Sequence, residues 1–98
     1  MNMQQMLMQA QKMQRELQKA QNELKEKEFT VSKGGAVTVV VKGDHKIKSI
    51  SVDEDAFDKD NKDILCDMIM LAVKDGLAKI EKETEEKLGS YANMGGLL

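Results

Sequence analysis

The sequence predicts an α+β fold: a long N-terminal helix, a three-stranded antiparallel meander, a short helical turn and a long C-terminal helix. Three patterns carry this prediction. Apolar residues recur every three or four positions near the N-terminus, alternate with polar residues in the middle, and form a broad helical stripe in the second half. At 98 residues, the chain is expected to be one domain over residues 1–90 with a flexible tail at 91–98.

The first helix is predicted from a narrow apolar seam. Its members are Met3, Met6, Ala10, Met13, Leu17, Ala20 and Leu24. Their spacing of three and four in alternation is typical of the a and d positions of a coiled coil. Since this seam is narrower than the stripe that packs on a globular core, the helix is expected to pair with another helix. Met6, Met13 and Leu17 are therefore predicted to contribute to a dimer interface.

Three strands are predicted between residues 28 and 52. Turns are expected at the pair Gly34 and Gly35 and over residues 43–46, because these segments are rich in turn-forming residues. In the third strand, Ile50 and Val52 share a face and Ile47 is expected on the opposite one. Because apolar residues then occupy both faces of the sheet, a second subunit is expected to cover part of it. The residues of the second strand assigned to that dimer interface are Val37, Val39 and Val41.

The second helix is predicted to begin near Asn61 or Lys62, with Asp60 or Asn61 as the N-cap, and to end at Gly89. Before it, residues 53–57 are expected to form a short turn with Phe57 tucked inward. The apolar positions of this helix form a stripe of the width that packs on a sheet. They are Ile64, Leu65, Met68, Ile69, Ala72, Val73, Leu77, Ile80 and Leu88.

The composition favours a cytosolic protein that gains stability from a second subunit. Aromatic residues make up only 3% of the chain, so the bulky side chains that usually anchor small cores are scarce. The single cysteine cannot form an internal disulfide. No signal-peptide pattern is seen, and no apolar run reaches the roughly 20 residues of a transmembrane helix.

No pattern of catalytic or metal-binding residues is found in the sequence. His45, the only histidine, falls in a predicted turn, and Cys66 lies between acids that would not activate a thiol. The pair Gly34 and Gly35 lacks the Gly-Lys-Ser/Thr of a phosphate loop. The acids of residues 53–60 lack the spacing of a calcium-binding loop. We therefore expect neither an enzyme nor a metal site.

Charge is segregated along the chain although the net charge is only -2. Residues 1–27 carry five basic residues against three acids, whereas residues 53–98 carry six lysines against twelve acids. An anionic partner is therefore expected to meet the first half of the chain. Lys12, Arg15 and Lys19 fall on one side of the first helix, opposite the seam. The alternative, that this side is an ordinary solvated helix face, stays open from the residues alone.

Two blocks of the sequence resemble the YbaB/EbfC family of bacterial nucleoid-associated DNA-binding proteins. They are QAQKMQ, residues 9–14, in the first helix, and GGAVTVVVKGDHKIKSISVD, residues 34–53. The resemblance runs from about residue 3 to residue 90. It implies a homodimer with tweezer-like protruding helices, binding to duplex DNA that changes the DNA conformation with little strict sequence preference, and neither enzyme activity nor a cofactor.

The resemblance and the charge pattern together predict the partners and the site. Duplex DNA and a second copy of the chain are expected as partners in the nucleoid of the cytoplasm, with no membrane and no small-molecule substrate. The residues predicted to bind DNA are Lys12, Arg15, Lys19, Lys25 and Lys27, and the protruding C-terminal helix implied by the resemblance adds Lys79 and Lys82. The alternative function is a helical protein-interaction or chaperone-like module, to which the exposed methionines are also suited.

Overall fold

The computed structural model describes residues 2–94, and for residues 90–94 it describes the backbone only. The elements in chain order are helix α1 (Met3–Glu26), strands β1 (Glu28–Lys33), β2 (Val37–Lys42) and β3 (Ile47–Val52), and helix α2 (Lys62–Met94). Two short 3-10 turns, Glu54–Ala56 and Lys59–Asn61, connect β3 to α2. The predicted α+β fold and its element order are confirmed.

The three strands form an antiparallel meander in the order β1-β2-β3. The turn between β1 and β2 is made by Gly34 and Gly35, whose φ angles of 58° and 66° lie in the left-handed region that glycine adopts without steric cost. The Ala36 N–H donates to the Lys33 carbonyl at 3.0 Å and closes the turn. The first predicted turn is therefore confirmed.

A register shift in the pairing of β2 with β3 changes which face Ile47 occupies. Val39 pairs with Ile50, but after the shift between Val40 and Val41 the next partner of Val41 is Ile47. An irregularity of this kind adds one residue to a strand and interrupts its alternation. Ile47 therefore shares a face with Ile50, and the prediction that the two lie on opposite faces is wrong.

The core lies between the sheet and α2, which packs across β1 and β2. Val37, Val39 and Val41 point into it and are 1%, 0% and 0% exposed. The single chain already covers these three side chains; their assignment to a dimer interface stays a prediction, and the interface proposed below uses exposed residues instead. The other buried members of this core are Phe29, Val31, Leu65, Ala72 and Ile80.

The segment that leads into α2 differs from the prediction in the position of one aromatic side chain. Helix α2 begins at Lys62, as predicted, and Asp58 caps the 3-10 turn before it by accepting from the Asp60 N–H at 2.9 Å. Asn61 donates its side-chain amide to the Ala56 carbonyl at 3.1 Å. Because Ala56 takes the inward position, Phe57 is 77% exposed, and the prediction that it is tucked inward is wrong.

Helix α2 continues through Gly89 to Met94, so the predicted helix end at Gly89 is also wrong. The predicted tail at 91–98 falls partly on this helix and partly on residues 95–98, which lie outside the described residues. Ile64 is 56% exposed and lies off the buried stripe of α2. The remaining predicted stripe residues between Leu65 and Leu88 are buried or half-buried.

Helix α1 is anchored to the rest of the chain at its C-terminal end. Its side chain Leu24 is buried, and the Gly43 N–H of the β2–β3 turn donates to the Lys27 carbonyl at 2.9 Å. At its other end, the Asn2 side chain caps the helix by accepting from the Gln5 N–H at 2.8 Å. Since α1 and α2 both extend past the sheet, the molecule is elongated, with extents of 70 × 18 × 15 Å.

An ion pair between Lys33 and Asp75 ties the end of β1 to α2 and gives a pH-dependent contribution to stability. The hydrogen bond from Lys33 lowers the pKa of Asp75 below its ordinary value of 3.8. A carboxyl group whose pKa is lower in the folded state than in the unfolded state stabilises the fold at pH values above its unfolded pKa. This stabilisation is lost as the pH falls through the folded pKa.

Lys33→Gln should therefore reduce the free energy of unfolding slightly at pH 6 and leave it unchanged below the lowered pKa of Asp75. Chemical denaturation of both proteins across this range, with an NMR titration of Asp75, tests the prediction; an equal difference at every pH would contradict it.

Candidate nucleic-acid interface

The exposed side of α1 carries a line of cations, which we call the basic stripe: Lys12, Arg15 and Lys19. At about 100° per residue the three side chains fall within about 60° of one another. All three are exposed, whereas Met13 and Leu17 on the other side of the helix are half-buried. The element that α1 packs against is α2. The basic stripe therefore faces away from the protein.

The cations of the basic stripe form no ion pair in the part of the chain whose side chains are described. No ion pair among the side chains of residues 2–89 involves Lys12, Arg15 or Lys19, and the same is true of the exposed Lys25. Lys25 lies roughly 100° around the helix from the centre of the stripe. Four of the five lysine and arginine residues predicted to bind DNA in the first part of the chain are thus available to an anionic partner.

Lys27, the fifth cation predicted to bind DNA in this part of the chain, is engaged in an ion pair. It forms an ion pair with Glu83 of α2, and its ammonium lies 5.5 Å from the centre of the Phe29 ring. This arrangement holds the end of α1 against α2. Among the described side chains, Lys27 therefore has an ion pair that the other four lack.

The two cations predicted on α2 differ from each other. Lys79 donates to the Thr30 carbonyl of β1 at 3.2 Å. Lys82 is exposed, but it lines a shallow depression together with Glu83 and Glu86. Because acids of the same helix accompany both, this part of α2 is less suited to an anion than the basic stripe.

One polar contact at the base of the stripe was missed by the sequence analysis. Lys42 of β2 donates to Glu26 of α1, with 3.1 Å between Nζ and Oε2. Glu26 follows Lys19 by seven residues and so lies on the same face of α1 as the stripe. The hydrogen bond and the charge of Glu26 raise the pKa of Lys42 above its ordinary value of 10.5. The spacing of seven residues indicates that Glu26 lies on the face of the stripe. No local pattern in the sequence, however, links Glu26 to Lys42, which is 16 residues away on β2.

Comparison with known proteins identifies the family. Residues 1–97 match the YbaB/EbfC DNA-binding family. The chain belongs to this family.

Relatives across almost the full length of the chain support the assignment. A nucleoid-associated protein of Ligilactobacillus salivarius is 46% identical over 102 aligned positions, covering 99% of this chain and 95% of the relative. One from Enterococcus faecalis is 47% identical, with 92% and 88% covered. One from Lactococcus lactis subsp. cremoris is 42% identical, with 93% of each chain covered.

Three further observations concern the described part of this YbaB/EbfC family member. Within residues 2–94, no helix is long and apolar enough to cross a membrane. No group of three or more His, Cys, Asp or Glu side chains is arranged to hold a metal ion in the described part of the chain. His45 lies in the turn between β2 and β3, as predicted, and its Nε2 is 3.4 Å from Oε1 of Glu81.

A second surface of the molecule is apolar and open, and we call it the β3–α2 flank. Ile47 and Ile50 on the helix-facing side of β3 are 50% and 46% exposed, because α2 lies over β1 and β2 instead. The neighbouring part of α2, residues 64–73, has nine apolar residues out of ten, and Met70 there is 63% exposed. The lower end of the flank opens into an apolar cavity of about 380 Å³ between Val52, Phe57, Leu65, Cys66 and Ile69.

Proposed function

We propose that this chain binds duplex DNA as a homodimer, through phosphate contacts of the basic stripe and with little preference for base sequence. One observation carries the proposal: three exposed cations, none of them in an ion pair with a described side chain, form a line on a projecting helix in a member of a DNA-binding family. No enzymatic step is involved. Binding along two projecting helices is proposed to change the DNA conformation in the nucleoid of the cytoplasm.

The physical basis of binding is the release of counterions from the phosphates. Two copies of the stripe supply about six phosphate contacts per dimer, and each neutralised phosphate contributes about 0.9 to the slope of log affinity against log salt concentration. The expected slope is therefore about -5. The stripe contains one arginine and no recognition-helix pattern, so contacts to the DNA backbone and to its shape are favoured over base readout.

Fluorescence anisotropy of a labelled duplex at several salt concentrations tests the proposed function. We expect an affinity that falls steeply with salt and changes little between duplexes of different sequence. A folded dimer that ignores duplex DNA even at low salt would exclude the proposal.

The homodimer is proposed to form through the β3–α2 flank. A helix segment that is apolar on nearly all sides is typical of one buried on more than one side, and in the single chain the sheet covers only one side of residues 64–73. Met70 of this segment and Ile47 and Ile50 of the neighbouring strand β3 are exposed apolar side chains. A second copy that covers this surface would also supply the burial that a chain of 98 residues with few aromatic side chains lacks.

Ile50→Lys is expected to prevent this dimer from forming. A lysine in the centre of the flank would place a charge in an apolar interface, where burial without a partner is unfavourable. Light scattering should give a mass near 11.0 kDa for the variant and about twice that for the unmodified chain. Met8→Lys is the matched control, because Met8 is also exposed but belongs to α1 and not to the flank. A dimeric Ile50→Lys protein would rule out this interface.

The apolar end of α1 supports a second candidate function, the capture of a partner protein. Met3, Met6, Leu7 and Met8 are all more than half exposed, and methionine is suited to adaptable binding surfaces. In this case the cations of the stripe would only be solvated. Loss of partner binding on replacing Met6 and Leu7 with serine, with no effect of neutralising the stripe, would favour this function over DNA binding.

A further inference from the structure

We propose that Lys42 is an additional phosphate-binding residue of the stripe. Its ion pair with Glu26 occupies the ammonium until a phosphate replaces the carboxylate. The inference rests on the proposed DNA binding and concerns the base of α1. Glu26 lies on the same face as Lys12 and Lys19, at successive intervals of seven residues. It is the one position in that series that carries a negative charge, and the ammonium of Lys42 lies against it.

The exposure of the two partners shows how the pair could exchange. The Glu26 side chain is 77% exposed and that of Lys42 is 28% exposed, so the stem of the lysine is held by the protein while the pair itself borders solvent. An exposed ion pair adds little to stability. Replacing Glu26 by a phosphate as the partner of Lys42 therefore costs the protein little stability.

The other acids near Lys42 have partners of their own. Glu28 forms an ion pair with Lys48, and Asp44 lies 4.0 Å from the ammonium of Lys46. Glu26 has Lys42 as its only ion-pair partner among the side chains of residues 2–89. When DNA lies along α1, the phosphates and Glu26 compete for one ammonium, and the unpaired carboxylate repels the duplex. The Lys42–Glu26 pair thus limits both the affinity for DNA and the length of the row of cations that contacts it.

About 10 Å along the helix axis separates Lys19 from Glu26. Lys42 is therefore placed to extend the row of cations from α1 onto the sheet. With one further phosphate neutralised per subunit, the expected number of contacts per dimer rises from about six to about eight.

Glu26→Gln tests the inference by removing the competitor while leaving the size of the side chain nearly unchanged. We expect duplex binding at physiological salt to become about tenfold tighter, and the salt slope to change from about -5 to about -7. The matched control is Glu23→Gln, which removes the same charge from an exposed position one turn earlier that has no ion pair among the described side chains. It should tighten binding less than about threefold and leave the slope unchanged, because it frees no new cation.

The role of Lys42 itself is separated from a general charge effect by a double variant. Adding Lys42→Gln to Glu26→Gln should return affinity and slope close to those of the unmodified protein. Circular dichroism and light scattering establish that each variant is folded and of unchanged mass. The ammonium signal of Lys42 in NMR provides a measurement on the unmodified chain, and it should shift when the duplex is added.

Three results would overturn the inference. Glu26→Gln that binds no more tightly than Glu23→Gln, with an unchanged salt slope, would exclude Lys42 while leaving DNA binding by the stripe intact. A Lys42 signal that does not respond to DNA, in a protein that binds DNA, would have the same meaning. If the unmodified dimer does not bind duplex at all, the proposed function fails and this inference fails with it.

Discussion

Replacing Lys12, Arg15 and Lys19 together with glutamine is expected to abolish duplex binding at physiological salt. The change removes about six phosphate contacts per dimer, which corresponds to at least a hundredfold loss of affinity and to a salt slope near zero. The fold should be unaffected, because all three side chains are exposed and have no ion pair within the described part of the chain. Fluorescence anisotropy gives the affinity, and circular dichroism and light scattering show whether the protein stays folded and dimeric.

A charge-preserving variant is the control for this experiment. With Lys12→Arg, Arg15→Lys and Lys19→Arg, the number of positive charges is unchanged while every side chain of the stripe is different. Phosphate contacts governed by charge should then keep the affinity within a few-fold and the slope at about -5. If this variant loses binding as completely as the glutamine variant, specific side-chain geometry rather than charge governs recognition. If the glutamine variant still binds, the stripe is not the DNA site.

Gly43→Ala is expected to have the largest effect on stability. A Cβ atom at this position would overlap the carbonyl oxygen of Leu24, at the point where the β2–β3 turn meets the end of α1. Because the obstacle is backbone, no change of side-chain rotamer can relieve it, and we expect a loss of about 3 kcal/mol or more, at the upper end of overpacking effects. Chemical denaturation followed by circular dichroism measures the loss.

Gly89→Ala provides the control with the opposite sign. Gly89 lies inside α2 and a Cβ there meets nothing within 4 Å. Alanine in the interior of a helix is favoured over glycine by about 0.5–1 kcal/mol. We therefore expect this variant to be slightly more stable than the unmodified chain. Equal stabilities of the two variants would show that α1 does not rest against the β2–β3 turn.

The sequence predicts well those features that depend on neighbouring residues. The seam of α1, the alternation in β1 and β2 and the glycine turn are local patterns, and each of these elements is present. The exposed position of the basic stripe also follows from a local pattern, since the seam defines the opposite side of the helix.

The features that the sequence did not predict depend on contacts between distant segments. The irregular pairing that turns Ile47 toward the helix side depends on how β2 and β3 align. Phe57 is exposed because Ala56 occupies the inward position against the core. Likewise, the pair of Lys42 with Glu26 arises only when β2 is placed beside the end of α1. None of these has a signature in a run of neighbouring residues.

The contact of Gly43 with the end of α1 has a consequence for synthesis on the ribosome. Helix α1 emerges well before the part of α2 that shares a cavity with Leu24, around Thr84 and Leu88. The three strands are consecutive and precede α2, so the turn that holds Gly43 leaves the ribosome before the part of α2 around Thr84 and Leu88. That turn can seat the end of α1 early and fix its direction. The nascent α2 can then pack against α1 while the direction of α1 is already fixed by the turn.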